Sequence, residues 1–341
     1  MAKMLEINKF IMERVRNPPN TRLPLVHVLN LPDANLCEKR KELVRMPDGT
    51  ARQACFGCVT QELHGGRRMS PESVRQIIRD FAENHGTCVI TINGRGDPFH
   101  PVLKAMTLDK IRFAASLGIR SYVFTAGQNL DSETCRTLAG CGTNVMISLF
   151  GNPFIDAGFF NGREYAGAEL SFQNEAEIAR NLRTLIETYR TLSESAPSLI
   201  EGTTRIGMNY VVSERDIADG GMRLRALKEA AEANGVFFIC NTEFHLDPNS
   251  DKYNQLKVLA RENSTLNLEH STADERGQCM MGAGAAVTID YDGKMFRCPY
   301  MNGKGDGNFL KMSDAEREEV ISAYLRDVGY ACALRKTPLR G

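Results

Sequence analysis

The sequence predicts an α/β fold: an open, partial (β/α)6 barrel followed by a small C-terminal module of one β-hairpin and one helix. Three observations carry that expectation. Six short apolar, β-rich runs alternate with amphipathic helical stretches between Leu23 and Asn241, the pattern of a parallel sheet with right-handed crossovers. After about Glu269 the alternation stops, and Asp292-Gly293 between two β-rich runs signals a hairpin. The chain's 341 residues suffice for one large α/β domain with an extension. The expected division is an N-terminal extension over 1–22, the barrel over 23–268 and the C-terminal module over 269–341.

The elements follow in order. Leu23 to Leu31 reads as the first strand, and a long loop follows it. A helix opens at Ser70-Pro71-Glu72, which supplies an N-cap, a first-turn proline and a first-turn acid. Cys88–Asn93 is the second strand; a helix then runs to Leu117 and stops at Gly118. Ile119–Thr125 is the third strand, a short helix begins near Asp131, and Asn144–Phe150 is the fourth strand. A glycine- and phenylalanine-rich loop spans Gly151 to Gly167, with Phe154, Phe159 and Phe160 as candidates for covering a site. A helix over about Asn174–Tyr189 leads to Thr204–Val212, and another ends near Gly235 before Val236–Asn241. In the tail, Ala285–Tyr291 and Lys294–Cys298 form the hairpin, and a helix runs from Ser313 to about Arg326. In barrels of this kind, chemistry sits where strands end and βα loops begin.

Composition narrows the function classes. Lys plus Arg and Asp plus Glu both number 42, so no basic excess points to nucleic acid or to an anionic membrane. No apolar run approaches the roughly 18 residues that span a bilayer, and Met1 to Arg16 lacks the apolar centre of a signal peptide. A cytoplasmic protein is the expectation. In a reducing cytoplasm, ten cysteines point to metal ligation or catalysis rather than disulfides.

Their placement sharpens this. The loop after the first strand holds Cys37 and then Cys55-Phe56-Gly57-Cys58. Close thiolate pairs on a loop wrap iron–sulfur clusters, although Cys-x-x-Cys alone also fits a zinc half-site or a redox pair. Gly94-Arg95-Gly96-Asp97-Pro98 follows the second strand, and Thr125-Ala126-Gly127 ends the third. In the tail, Cys279 is followed by thirteen residues, Gly293, four residues and Cys298. Gly307-Asn308-Phe309 then precedes the last helix, and Cys332 lies beyond it.

These segments together resemble the radical S-adenosylmethionine (SAM) superfamily, from about Leu23 to Cys332. The resemblance implies that Cys37, Cys55 and Cys58 hold a [4Fe–4S] cluster whose free iron chelates SAM. Here the spacing is C-x17-C-x2-C rather than the family's C-x3-C-x2-C, as if the loop carried an insertion. Gly94, Gly96, Asp97 and Pro98 are similar to the family's G-x-G-E-P segment, which receives the SAM ammonium. Thr125, Ser148 near the end of strand four and Arg205 at the start of strand five are implied to contact SAM. The tail resembles the SPASM or twitch modules, with Cys279, Cys298 and Cys332 as ligands of an auxiliary iron–sulfur cluster.

The activity so implied is reductive cleavage of SAM to a 5′-deoxyadenosyl radical that takes a hydrogen atom from a small molecule. The expected reaction is dehydrogenation of a sugar- or cyclitol-like natural-product intermediate, of the kind met in antibiotic biosynthesis. Flavodoxin or ferredoxin is the expected electron donor. Cys240, Glu243 and His245, at the end of strand six, are the candidate catalytic residues: Cys240 as a hydrogen-atom donor, the other two as substrate contacts or base. Three alternatives stay open: an epimerase, dehydratase or decarboxylase; a peptide maturase; and a zinc-binding scaffold without activity. Cys88, Cys135 and Cys141 read as small apolar core residues.

Overall fold

The computed structural model describes residues 4–33, 36–37, 43–45, 51–53, 68–94, 96–149, 158, 160, 175–195, 202–242, 247, 249–264, 286–299, 301 and 304–326. In chain order the elements are β1 (Met4–Leu5), α1 (Glu6–Arg16), β2 (Val28–Asn30), β3 (Leu43–Arg45), β4 (Ala51–Gln53) and α2 (Pro71–His85). Then follow β5 (Val89–Ile92), α3 (Lys104–Ser116), β6 (Arg120–Thr125), α4 (Ser132–Gly140), β7 (Asn144–Leu149) and α5 (Glu175–Ser195). The remainder are β8 (Thr203–Thr204), β9 (Ile206–Val211), α6 (Glu214–Ala218), α7 (Met222–Ala233), β10 (Phe237–Asn241), α8 (Asp251–Asn263), β11 (Ala286–Ile289), β12 (Met295–Phe296) and α9 (Asp314–Arg326).

The main sheet has eight strands in the order β10-β9-β7-β6-β5-β2-β11-β12. Its six central βα strands are parallel and follow chain order, as expected of an open (β/α)6 barrel. Local chemistry sets the helix starts. Ser70 accepts from the Ser73 amide at the head of α2, and Asp131 accepts from Thr134 at the head of α4. Ser313 and Glu316 exchange hydrogen bonds in a capping box before α9.

Alternation along the strands separates two faces. Leu29, Ile90, Val123, Ile147, Met208, Phe238 and Val287 pack toward the helices. Val28, Val89, Tyr122, Met146, Phe237, Ile239 and Ala286 pack on the concave face against Leu5, Ile7 and Ile11. Helix α1 therefore closes the amino-terminal mouth of the barrel. Nothing in the sequence marks this helix, because the few apolar residues that hold it, Ile7 and Ile11, pack on the distant barrel floor. Buried Glu6 completes the plug: it accepts from Asn144 and Arg205, both at 3.1 Å, and faces Arg120 at 3.6 Å.

The hairpin and helix of the tail are present, with two differences. The turn has three residues rather than two: the Gly293 amide donates to Asp290 O (2.8 Å), and the Asp290 amide donates to Lys294 O (2.8 Å). Gly293, at φ +86°, takes the left-handed position that ends such a turn. In addition, the hairpin extends the barrel sheet, since β11 pairs parallel with β2. Tail residues Val287, Ile289, Met295, Phe309, Ile321 and Tyr324 share one core with Val74, Ile77, Ile78 and Phe81 of α2. The expected boundary near Glu269 lies outside the described residues.

Candidate active site at the carboxyl ends of the strands

Positions on the concave face change character toward the carboxyl ends of the strands. Below, they are apolar and sealed by α1. Above, they are Asn30, Thr91, Asn93, Phe124, Ser148, Asn209, Asn241 and Thr288. Asn93, Phe124, Ser148, Asn209 and Asn241 are half-buried, whereas their helix-facing neighbours are buried. They line the upper lumen, polar except for Phe124. Ser148 stands beside Asn209 in the β7–β9 register, and the Asn241 carboxamide donates to that of Asn209. Asn30 accepts from Thr91 Oγ1 (2.7 Å) and donates to Asn93 O (3.1 Å). Thr288, 2% exposed on the same face, has no hydrogen-bond partner for its hydroxyl among the described residues.

Above this lumen the loops after β2, β5 and β6 meet. The buried Asp97 carboxylate accepts from Thr125 Oγ1 (2.9 and 3.1 Å), the Ala126 amide (2.7 Å) and the Phe99 amide (2.9 Å). Its own amide donates to Leu36 O at 2.7 Å. Asp97, Thr125 and the residue before Cys37 are thus one network, and the Cys37 thiol is half-buried beside it. Asp97 works as the keystone of these loops, with its oxygens committed to the protein.

Gly94 has a second reason to be glycine. Its φ is +99°, and a Cβ there would stand 2.7 Å from Pro299 Cβ and 3.0 Å from Pro299 O. The residue after Cys298 therefore rests on the glycine-rich loop, so the tail reaches the mouth of the barrel. Cys298 itself is buried.

The segment between Cys37 and Cys55 contains two paired strands. Strands β3 and β4 pair antiparallel, Leu43 with Gln53 and Arg45 with Ala51. Strand β4 ends two residues before Cys55. Cys55, Cys58, Cys279, Cys332, Glu243 and His245 lie outside the described residues, as do Phe154 and Phe159.

Three expectations are corrected. Arg205 lies at the amino-terminal end of β9, opposite the lumen mouth, and is buried against Glu6 in the floor network. A parallel strand's first residue cannot reach a ligand at the carboxyl ends. Cys240 faces the helices, in the cluster with Phe238, Leu256 and Ala260, not the lumen. Burial raises its thiol pKa well above the usual value. Phe160 packs into that same helix-side core, where it cannot cover the lumen. Cys88 and Cys135 are core thiols as expected, and burial pushes them up to about 11 and about 12.

No family model matches the chain, and no curated protein does. Solved structures do. A polyhistidine-tagged anSMEcpe with bound AdoMet superposes with a TM-score of 0.54 at 14% identity, over 93% of this chain and 89% of that one. Native anSMEcpe with bound AdoMet gives 0.53 at 15% identity over the same shares, 93% and 89%. A Streptococcus suis SuiB structure bound to precursor peptide SuiA gives 0.48 at 11% identity, over 94% of this chain and 68% of that one. With its six parallel βα strands in chain order and an unclosed sheet, the chain shares the partial-barrel fold of the AdoMet-bound anSMEcpe structures.

Proposed function

We propose that this protein is a radical SAM enzyme whose cluster and SAM occupy the carboxyl-end mouth of the barrel. One observation carries the reading. Leu36 beside Cys37, Asp97 of the glycine-rich segment and Thr125 of the following turn are joined by direct hydrogen bonds at one mouth. Those are the three places where the family resemblance puts cluster and SAM. Thiolates are the donors an iron–sulfur cluster takes. Cys37, Cys55 and Cys58 would hold it, and the antiparallel pairing of β3 with β4 between Cys37 and Cys55 is compatible with Cys37 as first ligand. When bound, cluster and SAM supply the radical that removes a substrate hydrogen atom. The chain's own part is to fix the loops through Asp97, to bind through Ser148 and the upper lumen, and to exclude water from below through α1. Cys279, Cys298 and Cys332 would hold an auxiliary cluster, and flavodoxin or ferredoxin would deliver electrons.

For the net reaction we favour dehydrogenation of a sugar- or cyclitol-like small molecule. Neutral hydrogen-bonding side chains at the half-buried Asn93, Asn209 and Asn241 suit a hydroxylated, uncharged substrate. Glu243 and His245, just beyond β10, are the proposed bases. With Cys240 turned to the helices, epimerisation loses the hydrogen donor proposed for it. Peptide modification is the second reading, because native anSMEcpe is also solved with a Cp18Cys peptide, at a TM-score of 0.52 and 13% identity.

The test is anaerobic reconstitution, then SAM and a strong reductant, with 5′-deoxyadenosine measured for wild type and Cys55→Ala. Formation by wild type alone is the expected result. A colourless zinc protein that forms none would return the scaffold reading.

A further inference from the structure

Helix α3 follows the glycine-rich segment, and two of its side chains turn inward although both are polar. Lys110 and Thr107 are 2% and 0% exposed. Lys110 Nζ meets Asp33 Oδ1 at 2.7 Å, with each side chain 2% exposed, and donates to Leu31 O at 2.9 Å. Thr107 Oγ1 lies within hydrogen-bond distance of both Asp33 Oδ2 (2.5 Å) and Pro98 O (2.8 Å). An ion pair so fully removed from water gives little net stability compared with apolar residues of the same size. Its place in the chain gives it a different use. Leu31 and Asp33 lie on the segment that runs from β2 to Cys37; Pro98 closes the glycine-rich segment. The Leu36 O to Asp97 N bond closes the circuit from the other side. The stretch from Leu31 to Leu36 is thus held at both ends by the stretch from Asp97 to Lys110.

We infer that Asp33, Lys110 and Thr107 are positioning residues: they form a bracket that fixes the start of the cysteine loop against the glycine-rich loop, and so sets the geometry in which SAM binds. None of the three touches the ligand; they act through Cys37, Asp97 and Pro98. The inference rests on the proposed radical SAM function.

Thr107→Val has nearly the shape of threonine but removes the hydroxyl that bridges Asp33 to Pro98. Thr107→Ser restores the hydroxyl. Asp33→Leu with Lys110→Met replaces the pair with apolar residues of similar size, a change such buried pairs tolerate in folding. Each protein is reconstituted anaerobically. Iron content, SAM affinity by equilibrium dialysis without reductant, the paramagnetic resonance change of the reduced cluster on adding SAM, and thermal midpoint are then measured. Thr107→Val is expected to bind SAM about tenfold more weakly, the scale seen when supporting residues of metal sites are removed. Its resonance change should be blunted, its midpoint close to wild type, and serine should rescue it. The double variant should fold and show the same loss. Folded variants that bind SAM as wild type does, with the same resonance change, overturn the bracket alone. Wild type that takes up iron but binds no SAM overturns the functional reading, and the bracket with it. If Thr107→Val fails to fold, the double variant decides.

Discussion

Ser148 and Cys240 both sit near the carboxyl end of a barrel strand, yet only one can meet a ligand. The difference is parity along the strand. Ser148 shares the concave face with Met146, while Cys240 shares the helix face with Phe238. A sequence shows that alternation but not which phase faces inward when both are apolar. Phe237, Phe238, Ile239 and Cys240 are all buried, so periodicity alone could not assign the thiol. Cys240→Ala should therefore leave 5′-deoxyadenosine formation and product yield as in wild type, at a stability cost of about 1 kcal/mol for the lost sulfur. Abolished product with SAM cleavage intact would mean that the thiol reaches the lumen after all.

At the scale of elements, most helices and strands were legible because caps and breakers mark them. Ser70-Pro71, Asp131 and Gly118 stand where α2 begins, α4 is capped and α3 gives way to β6. Helix α1 was not legible, since what holds it is a distant floor built from Asn144, Arg205 and Arg120. Arg205 resembles a ligand contact in the sequence for the same reason: its partner, Glu6, is 199 residues away. Arg205→Met leaves the buried Glu6 carboxylate short of its main cation. It should cost about 3–5 kcal/mol in urea denaturation, while SAM affinity of the folded protein stays unchanged.

The end of α2 makes a second prediction. His85 stacks on Phe81 at 4.8 Å, its Nδ1 lies 2.7 Å from Pro24 O, and its Nε2 is buried without a partner among the described residues. Burial lowers its pKa from the usual 6.5, outweighing the Pro24 carbonyl and the nearby Asp80 and Glu318, which raise it; Arg317 lowers it further. The unfolded chain therefore takes up this proton more readily than the folded one. His85's contribution to stability is complete above 6.5 and declines as pH falls below 6.5 toward the folded pKa. Denaturation midpoints between pH 7 and 5 should fall, and His85→Asn, which keeps a donor for Pro24, should flatten that slope. An unchanged slope would place the titration elsewhere.

Across the whole molecule, the tail and the barrel share a hydrophobic interior. Phe309 is 1% exposed and lies 5.4 Å from Phe81, with the Arg317 guanidinium 4.1 Å above its ring. Calorimetry should accordingly give one cooperative transition, and Phe309→Ala should lower its midpoint as a loss of about 3–5 kcal/mol does. Two resolved transitions would show that the tail melts by itself.

The pairing of β11 with β2 also bears on how the chain is made. Val28 lies opposite Val89 on one side and Ala286 on the other. On the ribosome, β5 emerges soon after β2, and β11 only after the other barrel strands. Until then the outer edge of β2 stays bare, a template for any other extended chain. Nascent polypeptides that still lack β11 are thus the aggregation-prone form of this protein, and slow translation between β5 and β11 lengthens their exposure.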